Sequence, residues 1–135
     1  MTTAAVLIIG DEILGGKVRD SNGPLMIDLL REQGVALKRL VYLEDDPASL
    51  VPEIQASARA HDVLVTSGGL GPTHDDRTIE AVARAFDRAV VRSPFIEDMI
   101  RDHWGARVSD TALRMADVPQ GARLLCGQDL SLIHI

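Results

Sequence analysis

Short apolar runs alternate with amphipathic segments along the first two thirds of the chain. Residues 4–9 (AAVLII) form an unbroken apolar run that stops at a glycine and an aspartate, which is typical of a strand buried on both faces of a sheet. Residues 62–67 (DVLVTS) have the same character. Residues 35–43 are also mainly apolar, but a lysine and an arginine interrupt them, so this strand is expected to be less buried. The pattern therefore predicts three strands.

Helical spacing dominates the segments between and after these runs. Apolar side chains recur every three or four positions within residues 23–34, 47–61 and 79–86. Gly34 is expected to end the first helix as a C-cap residue, and Pro47 fits the first turn of the second. Strand alternates with helix, which implies right-handed crossovers. We therefore predict an α/β fold with a mainly parallel sheet that is covered on both faces.

The pattern becomes less regular beyond residue 88. The last nine residues, GQDLSLIHI, fit no element. The expected elements and units are a short strand around residues 89–91, helices around 94–104 and 109–117, a strand at 122–126, a domain at 1–126 and an atypical tail at 127–135.

Composition narrows the class of protein. A chain of 135 residues that is 46% hydrophobic suits one domain with a real core, and with only 3% aromatic residues that core must be aliphatic. A net charge of −6 argues against a broad surface that neutralises nucleic-acid phosphates. The single cysteine, the absence of signal-peptide features and the lack of any long apolar run predict a cytoplasmic protein that contacts no membrane.

Acidic and glycine-rich segments follow each of the three predicted strands. Asp11 follows the first strand, Asp45 and Asp46 follow the second, and residues 67–76 (SGGLGPTHDD) follow the third. The carboxyl ends of parallel strands share one edge of a sheet, which is where open α/β sheets generally bind ligands. We therefore expect these three loops to meet at one site.

The chemistry of these loops suits a phosphorylated ligand together with a metal ion. Three glycines in residues 68–71 permit positive φ and let backbone N–H groups point at an anion beside a helix N-terminus. Carboxylates alone would repel that anion. A hard cation such as Mg²⁺ resolves the conflict if Asp45, Asp46 or Asp76 links it to phosphate oxygens.

Each of these features also has a plainer interpretation. Residues 68–72 could be an ordinary strand-to-helix connection, and Asp76 could cap the helix that follows. Residues 45–47 could start a helix, and residues 20–22 could form a turn and a cap. His74 could contact a phosphate or could simply be exposed on the loop.

Taken together, the motifs resemble the N-terminal domain of the competence/damage-inducible protein A family. The resemblance covers residues 4 to about 125 and rests on GDEIL at 10–14, Asp20 and Asn22, the acidic pair at 45–46, and GGLGPTHDD at 68–76. That domain is similar to the molybdopterin-binding fold of molybdenum cofactor biosynthesis proteins. The resemblance implies a three-layer α/β/α domain that binds a pterin or nucleotide at the carboxyl edge of its sheet.

The resemblance also implies an activity. The motifs at residues 10–12 and 68–76 are closer to those of the competence-protein group. In that group the related domain is linked to metal-dependent ADP-ribose pyrophosphatase activity, and Mg²⁺ is the expected cofactor. Adenylyl transfer to molybdopterin, as in the cofactor-biosynthesis relatives, and a non-catalytic pterin- or nucleotide-binding module are the alternatives. Relatives are commonly dimers or trimers, so a homo-oligomer is expected.

The residues and the resemblance together define the candidate site. Related sequences continue beyond residue 125 into a turn rich in asparagine and glycine, so the last residues here are expected to be a truncation or a foreign tail. The candidate residues are Asp45 and Asp76 as catalytic carboxylates, Asp45, Asp46 and Asp76 as metal ligands, and Asp11, Asp20, Ser67, Gly68, Gly69, Gly71, Thr73 and Asp75 around the ligand and its phosphates.

Overall fold

A computed structural model describes residues 1–126 and 132–134 of the chain. Residues 127–131 and 135, and with them most of the predicted tail, lie outside the described residues. The elements in chain order are β1 (Thr3–Ile9), α1 (Asp11–Leu14), α2 (Asn22–Glu32), β2 (Ala36–Leu43), α3 (Pro47–Ala60), β3 (Val63–Ser67), α4 (Thr78–Ala85), β4 (Val90–Arg92), α5 (Pro94–Trp104), α6 (Asp110–Leu113), β5 (Asp117–Pro119), β6 (Leu124–Cys126) and β7 (Leu132–His134), with 3₁₀ turns at Gly105–Arg107 and Arg114–Ala116.

The three apolar runs form a parallel sheet with the strand order β2-β1-β3. β1 lies in the middle, where Val6 is opposite Leu40 on one side and Val65 on the other. All six residues at positions 4–9 are at most 2% exposed, because β1 has a strand on each side and helices above and below. This confirms the prediction of a central strand buried on both faces.

Helices cover the two faces of this sheet to give the predicted three-layer α/β/α arrangement. On one face, α3 and α4 pack against β1 through a core of Leu7, Leu50, Ile54 and Ala81. On the other face, α2 packs against β1 and β2, and its buried Gly23 lies next to Leu40 and Tyr42. Side chains alternate along a strand, so these two positions face away from the Leu7 side of the sheet.

A second, smaller core lies beyond α4. It consists of Ile96, Ile100, Leu113, Ala116 and Val118 and joins α5, α6 and β5. β4 and β5 pair in an antiparallel fashion, as do β6 and β7. These two antiparallel strand pairs are separate from the parallel sheet that β1, β2 and β3 form.

One predicted boundary in this region is wrong. The helix expected at residues 109–117 ends earlier, because the backbone becomes extended at Asp117 and continues as β5. There Arg92 Nε donates to Asp117 Oδ1 at 2.7 Å across the strand pair. A three-residue strand offers too few positions for alternation to be recognised.

Near the start of the chain, the four-residue helix α1 was missed inside a segment expected to be a loop.

Local caps explain where two of the helices begin. Asp46 is the N-cap of α3, its side chain accepts the N–H of Ala48 at 3.0 Å, and Pro47 occupies the first turn. The Asp20 carboxylate accepts the N–H groups of Asn22 and Gly23, both at 2.9 Å, at the start of α2. The helix-start interpretation of residues 45–47 is therefore confirmed. Residues 20–22 form the predicted turn, in which Asp20 rather than the N-cap Ser21 accepts the first N–H groups of the helix.

No helix in the described residues is long and apolar enough to cross a membrane.

Core packing predicts a clear difference between two leucines. Leu50→Ala removes a side chain that is fully buried in the main core, so we expect it to lower the free energy of unfolding by about 2–5 kcal/mol. Leu25→Ala makes the same chemical change at a side chain that is 51% exposed, and we expect a change within about 0.5 kcal/mol. Urea denaturation of both variants measures the two values. Equal losses would contradict this description of the core.

Candidate functional site

Hydrogen bonds from backbone N–H groups to side-chain carboxylates join the three loops at the carboxyl edge of the sheet. The N–H of Asp45, after β2, donates to Asp11 Oδ1, after β1, at 3.0 Å. The N–H of Arg77, after β3, donates to Asp45 Oδ1 at 3.1 Å. The structure therefore brings together the segments that the sequence placed at one edge.

These loops enclose an acidic cleft of about 440 Å³. This volume lies in the range of roughly 300–1,000 Å³ that is usual for small-molecule sites. Five of the lining side chains are carboxylic acids and one is an amine. The lining residues are Asp11, Glu12, Gly15, Lys17, Asp45, Thr73, Asp75 and Asp76.

The carboxyl group of Asp45 has a raised pKa. Burial raises the pKa of its carboxyl group, and the negative charges of Asp76, Asp11 and Glu12 raise it further. The hydrogen bond from the Arg77 N–H acts in the opposite direction and favours the charged form. The ionised carboxylate thus sits among like charges, an arrangement that a bound cation would relieve.

The glycine loop after β3 is pressed between β1 and α4. Gly68 and Gly69 have φ values of 100° and 67°, a region that other residues rarely adopt. A Cβ atom at Gly68 would overlap the carbonyl oxygen of Ile9, and one at Gly69 would overlap the hydroxyl of Thr78. Thr78 is 1% exposed, and its hydroxyl donates to the Gly68 carbonyl at 2.8 Å. Glycine is therefore required at both positions.

The amide groups of this loop are available to a ligand. Within the described residues, the N–H groups of Gly69, Leu70 and Gly71 donate to no acceptor in the protein. The N–H of Thr78 donates to the Gly69 carbonyl at 3.2 Å, which fixes the peptide that follows. Consecutive unbonded amides after a strand form the kind of concave site that binds anions. The ligand-loop interpretation of residues 68–72 thus has geometric support.

Asp76 does not cap α4, so that interpretation is wrong. The helix has Arg77 at its N-cap and no capping side chain. Asp76 Oδ2 instead accepts the Thr73 N–H at 3.0 Å and the Thr73 hydroxyl at 2.6 Å. A Cβ atom at Gly71 would come within 2.6 Å of the same oxygen. The loop therefore closes tightly around this carboxylate and holds it at the cleft.

Several other candidate residues have different surroundings. Asp20 does not line the acidic cleft or the smaller cleft beside the glycine loop. Its Oδ2 accepts a hydrogen bond from the Tyr42 hydroxyl at 2.9 Å. Ser67 Oγ accepts a hydrogen bond from the Asn22 side chain at 2.7 Å, which ties α2 to the end of β3. The His74 side chain is 88% exposed and lies 3.2 Å from Asp75, so it points into solvent. Asp46 is engaged as the cap of α3.

The donor set fits a magnesium ion only if the ligand contributes. Among the described residues, no group of three or more His, Cys, Asp or Glu side chains is arranged to hold a metal. Magnesium usually takes one or two carboxylates and completes its shell with substrate phosphates and water. Asp45 and Asp76, which line the same cleft, match that requirement.

A smaller side cleft of about 90 Å³ lies on the other side of the glycine loop. Arg114 in this cleft and Lys17 in the acidic cleft were missed by the sequence analysis, since isolated exposed cations carry no periodic signal. The side cleft is lined by Gly69, Leu70, Gly71, Asp76, Ile79, Glu80, Val90, Arg114, Met115 and Asp117.

Two glycine substitutions separate backbone strain from steric overlap. Gly16 has a φ of 75° with nothing within 4 Å of a Cβ atom, so Gly16→Ala should cost about 1–2 kcal/mol in the free energy of unfolding from strain alone. Gly69→Ala adds an overlap with Thr78, and we expect a larger loss. Chemical denaturation of both variants measures the difference. A Gly69→Ala variant no less stable than Gly16→Ala would contradict the close packing.

One structural comparison extends over most of the chain. The crystal structure of the protein CinA from Thermoplasma acidophilum, whose function is described as unknown, superposes with a TM-score of 0.85 at 28% sequence identity. The match covers 91% of this chain and 74% of that one.

Sequence comparisons lead to the same group. A CinA-like protein of Mycobacterium sp. (strain JLS) is 39% identical over 134 residues, which is 90% of this chain and 32% of the relative. A probable FAD synthase of Caenorhabditis elegans is 44% identical over 84 residues, which is 62% of this chain and 16% of the relative. This chain thus spans a third or less of either relative's length. The family described as probable molybdopterin binding domain matches residues 5–127, which confirms the resemblance inferred from the motifs, and the chain belongs to that family.

Proposed function

We propose that this domain binds a phosphorylated nucleotide or pterin and hydrolyses the pyrophosphate of ADP-ribose-like nucleotides with Mg²⁺. One observation carries the proposal: Asp76 lines both the acidic cleft, which it shares with Asp45, and the side cleft, which Gly69, Leu70 and Gly71 line with amides that are unbonded in the described residues. Phosphate needs both features, because amides bind its oxygens while a metal offsets the repulsion from carboxylates.

The chain's own residues have distinct parts in this proposal. The N–H groups of Gly69 to Gly71 would bind the phosphate oxygens on which negative charge grows during the reaction. Asp45 and Asp76 would hold the metal, which supplies charge neutralisation and orientation. Arg77, through its N–H, and Thr73, through its N–H and hydroxyl, keep the two carboxylates in place.

The proposed reaction consumes one water molecule. Its oxygen bonds to one phosphorus of the pyrophosphate, and the bond from that phosphorus to the bridging oxygen breaks. The bridging oxygen leaves on the other phosphate, and the protons of water pass to the products or to solvent. ADP-ribose then yields AMP and ribose 5-phosphate.

Adenylyl transfer is a second candidate function. It is favoured by the 44% identity to a protein named probable FAD synthase, since FAD contains the phosphoanhydride that such a transfer creates. The same amides and carboxylates would serve, with a phosphate of the acceptor in place of water. Binding without turnover would instead indicate a non-catalytic nucleotide or pterin module.

Asp76→Asn tests the proposed hydrolysis directly. We expect kcat/KM for ADP-ribose with Mg²⁺ to fall about 100-fold or more, because the amide keeps the shape of the side chain but loses the charge. Release of AMP and ribose 5-phosphate is followed by chromatography. Asp98→Asn is the matched control, since Asp98 is exposed on α5. Equal turnover by wild type and Asp76→Asn would refute the site assignment. Formation of adenylylated molybdopterin from ATP would favour transfer.

The raised pKa of Asp45 predicts a pH-dependent gain in stability for Asp45→Asn. A carboxyl pKa that is raised on folding means that the charged form destabilises the native state, and this cost appears as pH rises from the ordinary value of 3.8 through the folded value. In chelator at pH 7, the variant should melt at a higher temperature than wild type. The difference should vanish below pH 3.8, where Asp45 is protonated in both states.

Magnesium should reverse the order of the melting temperatures of wild type and Asp45→Asn. Added Mg²⁺ should raise the melting temperature of wild type more than that of Asp45→Asn, because a ligand that binds only the native state stabilises it. Asp98→Asn should behave as wild type under both conditions. An Asp45→Asn variant that melts below wild type in chelator at pH 7 would contradict the role of burial and like charge at Asp45.

A further inference from the structure

Residues of the glycine loop line two clefts, the acidic cleft and the side cleft. Asp76 lines both the acidic cleft and the side cleft. Gly69 and Gly71 line the side cleft, while Thr73 of the same loop lines the acidic cleft. A ligand whose phosphates lie at this loop can therefore extend to either side of it.

The two clefts differ in the size of the group they accept. The acidic cleft, at about 440 Å³, lies within the usual range for a small-molecule site. The side cleft, at about 90 Å³, lies well below that range and can hold only part of a ligand. One part of a ligand, such as a sugar with its phosphate, matches the smaller space, whereas a whole nucleotide does not.

The charges of the side cleft leave one cation available. Glu80 is paired with Arg77 at 3.0 Å and with Arg84 at 3.5 Å, and Asp117 is paired with Arg92 at 2.7 Å. Asp76 is held by Thr73. Arg114 forms no salt bridge within the part of the chain that the structure describes. Its guanidinium therefore retains its donors for an anion, and phosphate is the anion that this group binds best through paired hydrogen bonds.

The rest of the lining is apolar. Ile79, Val90 and Met115 form this part of the wall, and Val90 is 45% exposed. An apolar surface beside one guanidinium suits a sugar phosphate, whose ring carbons pack while its phosphate pairs with the cation.

We infer that the side cleft is a second subsite, in which Arg114 binds the distal phosphate of a dinucleotide-type ligand and the apolar wall packs against the sugar attached to it. The inference rests on the proposed function. The nucleoside monophosphate half occupies the acidic cleft, and the pyrophosphate crosses the glycine loop at Asp76. The ligand class is thus a sugar nucleotide with two phosphates rather than a mononucleotide.

Two probes separate the subsites by calorimetry in the presence of Mg²⁺. One is AMP, and the other is an ADP-ribose analogue with a methylene group in place of the bridging oxygen, which cannot be hydrolysed. Arg114→Gln should weaken binding of the analogue about tenfold, as expected for the loss of a charged hydrogen bond, and should change AMP affinity less than about twofold. Arg114→Glu should weaken the analogue further.

Arg107→Gln is the matched control, because Arg107 is exposed in a 3₁₀ turn outside both linings. It should alter neither affinity, and thermal melting checks that every variant folds. An Arg114→Gln variant that weakens both probes equally, or neither, overturns the subsite. Asp76→Asn measured in the same series tests the proposed function separately: if it leaves both affinities unchanged, the proposed function fails and the subsite falls with it. If it weakens both while Arg114→Gln weakens neither, only the subsite is wrong.

Discussion

The close approach of the glycine loop to β1 and α4 is the constraint on which the site depends. Gly68 lies against the Ile9 carbonyl, and Gly69 lies against the Thr78 hydroxyl, so neither position has room for a side chain. Thr78 donates to the carbonyls of both glycines, and among the described residues the N–H groups of Gly69, Leu70 and Gly71 donate to no acceptor. The central strand, the buried threonine and the left-handed glycines therefore work as one unit.

That unit also sets the electrostatics of the cleft. The loop places Asp76 beside Asp45, which follows β2, and the segment after β1 adds Asp11 and Glu12. The fold thus concentrates negative charge next to unbonded amides, since Asp76 lines both the acidic cleft and the side cleft that Gly69 and Gly71 also line. The carboxylates repel a phosphate and the amides attract it, and a cation bound together with the phosphate would make the two features compatible. Lys17 is the cation that the protein itself contributes to this lining.

Much of the framework was predictable from the sequence, for physical reasons. Residues 4–9 form a continuous apolar run because β1 is covered on every side, and this pattern alone identifies the central strand. The meeting of the loops that carry Asp11, Asp45 and Asp76 follows from the rule that parallel strands end at one edge. The cap at Asp46 follows from its position before Pro47.

The other parts of the fold and of the site depend on contacts that no local sequence pattern indicates. The bond between Thr73 and Asp76, which replaces the expected cap, is a matter of loop geometry. β5 was missed because its three residues are too few to show alternation, and the side cleft arises only when β5 and the Arg114 turn fold against α4. The ligand class came from the resemblance to a family, since glycines and carboxylates indicate phosphate and metal without identifying what carries the phosphate.

The anchoring of Asp45 through main-chain atoms has an evolutionary consequence. Its carboxylate accepts the N–H of residue 77, and its own N–H donates to Asp11. The first of these bonds requires only a backbone N–H at position 77, so any residue except proline can stand there without releasing Asp45. The orientation of this acid is thus inherited with the shape of the backbone, and diversification can act on the outer rim of the site while its centre is preserved.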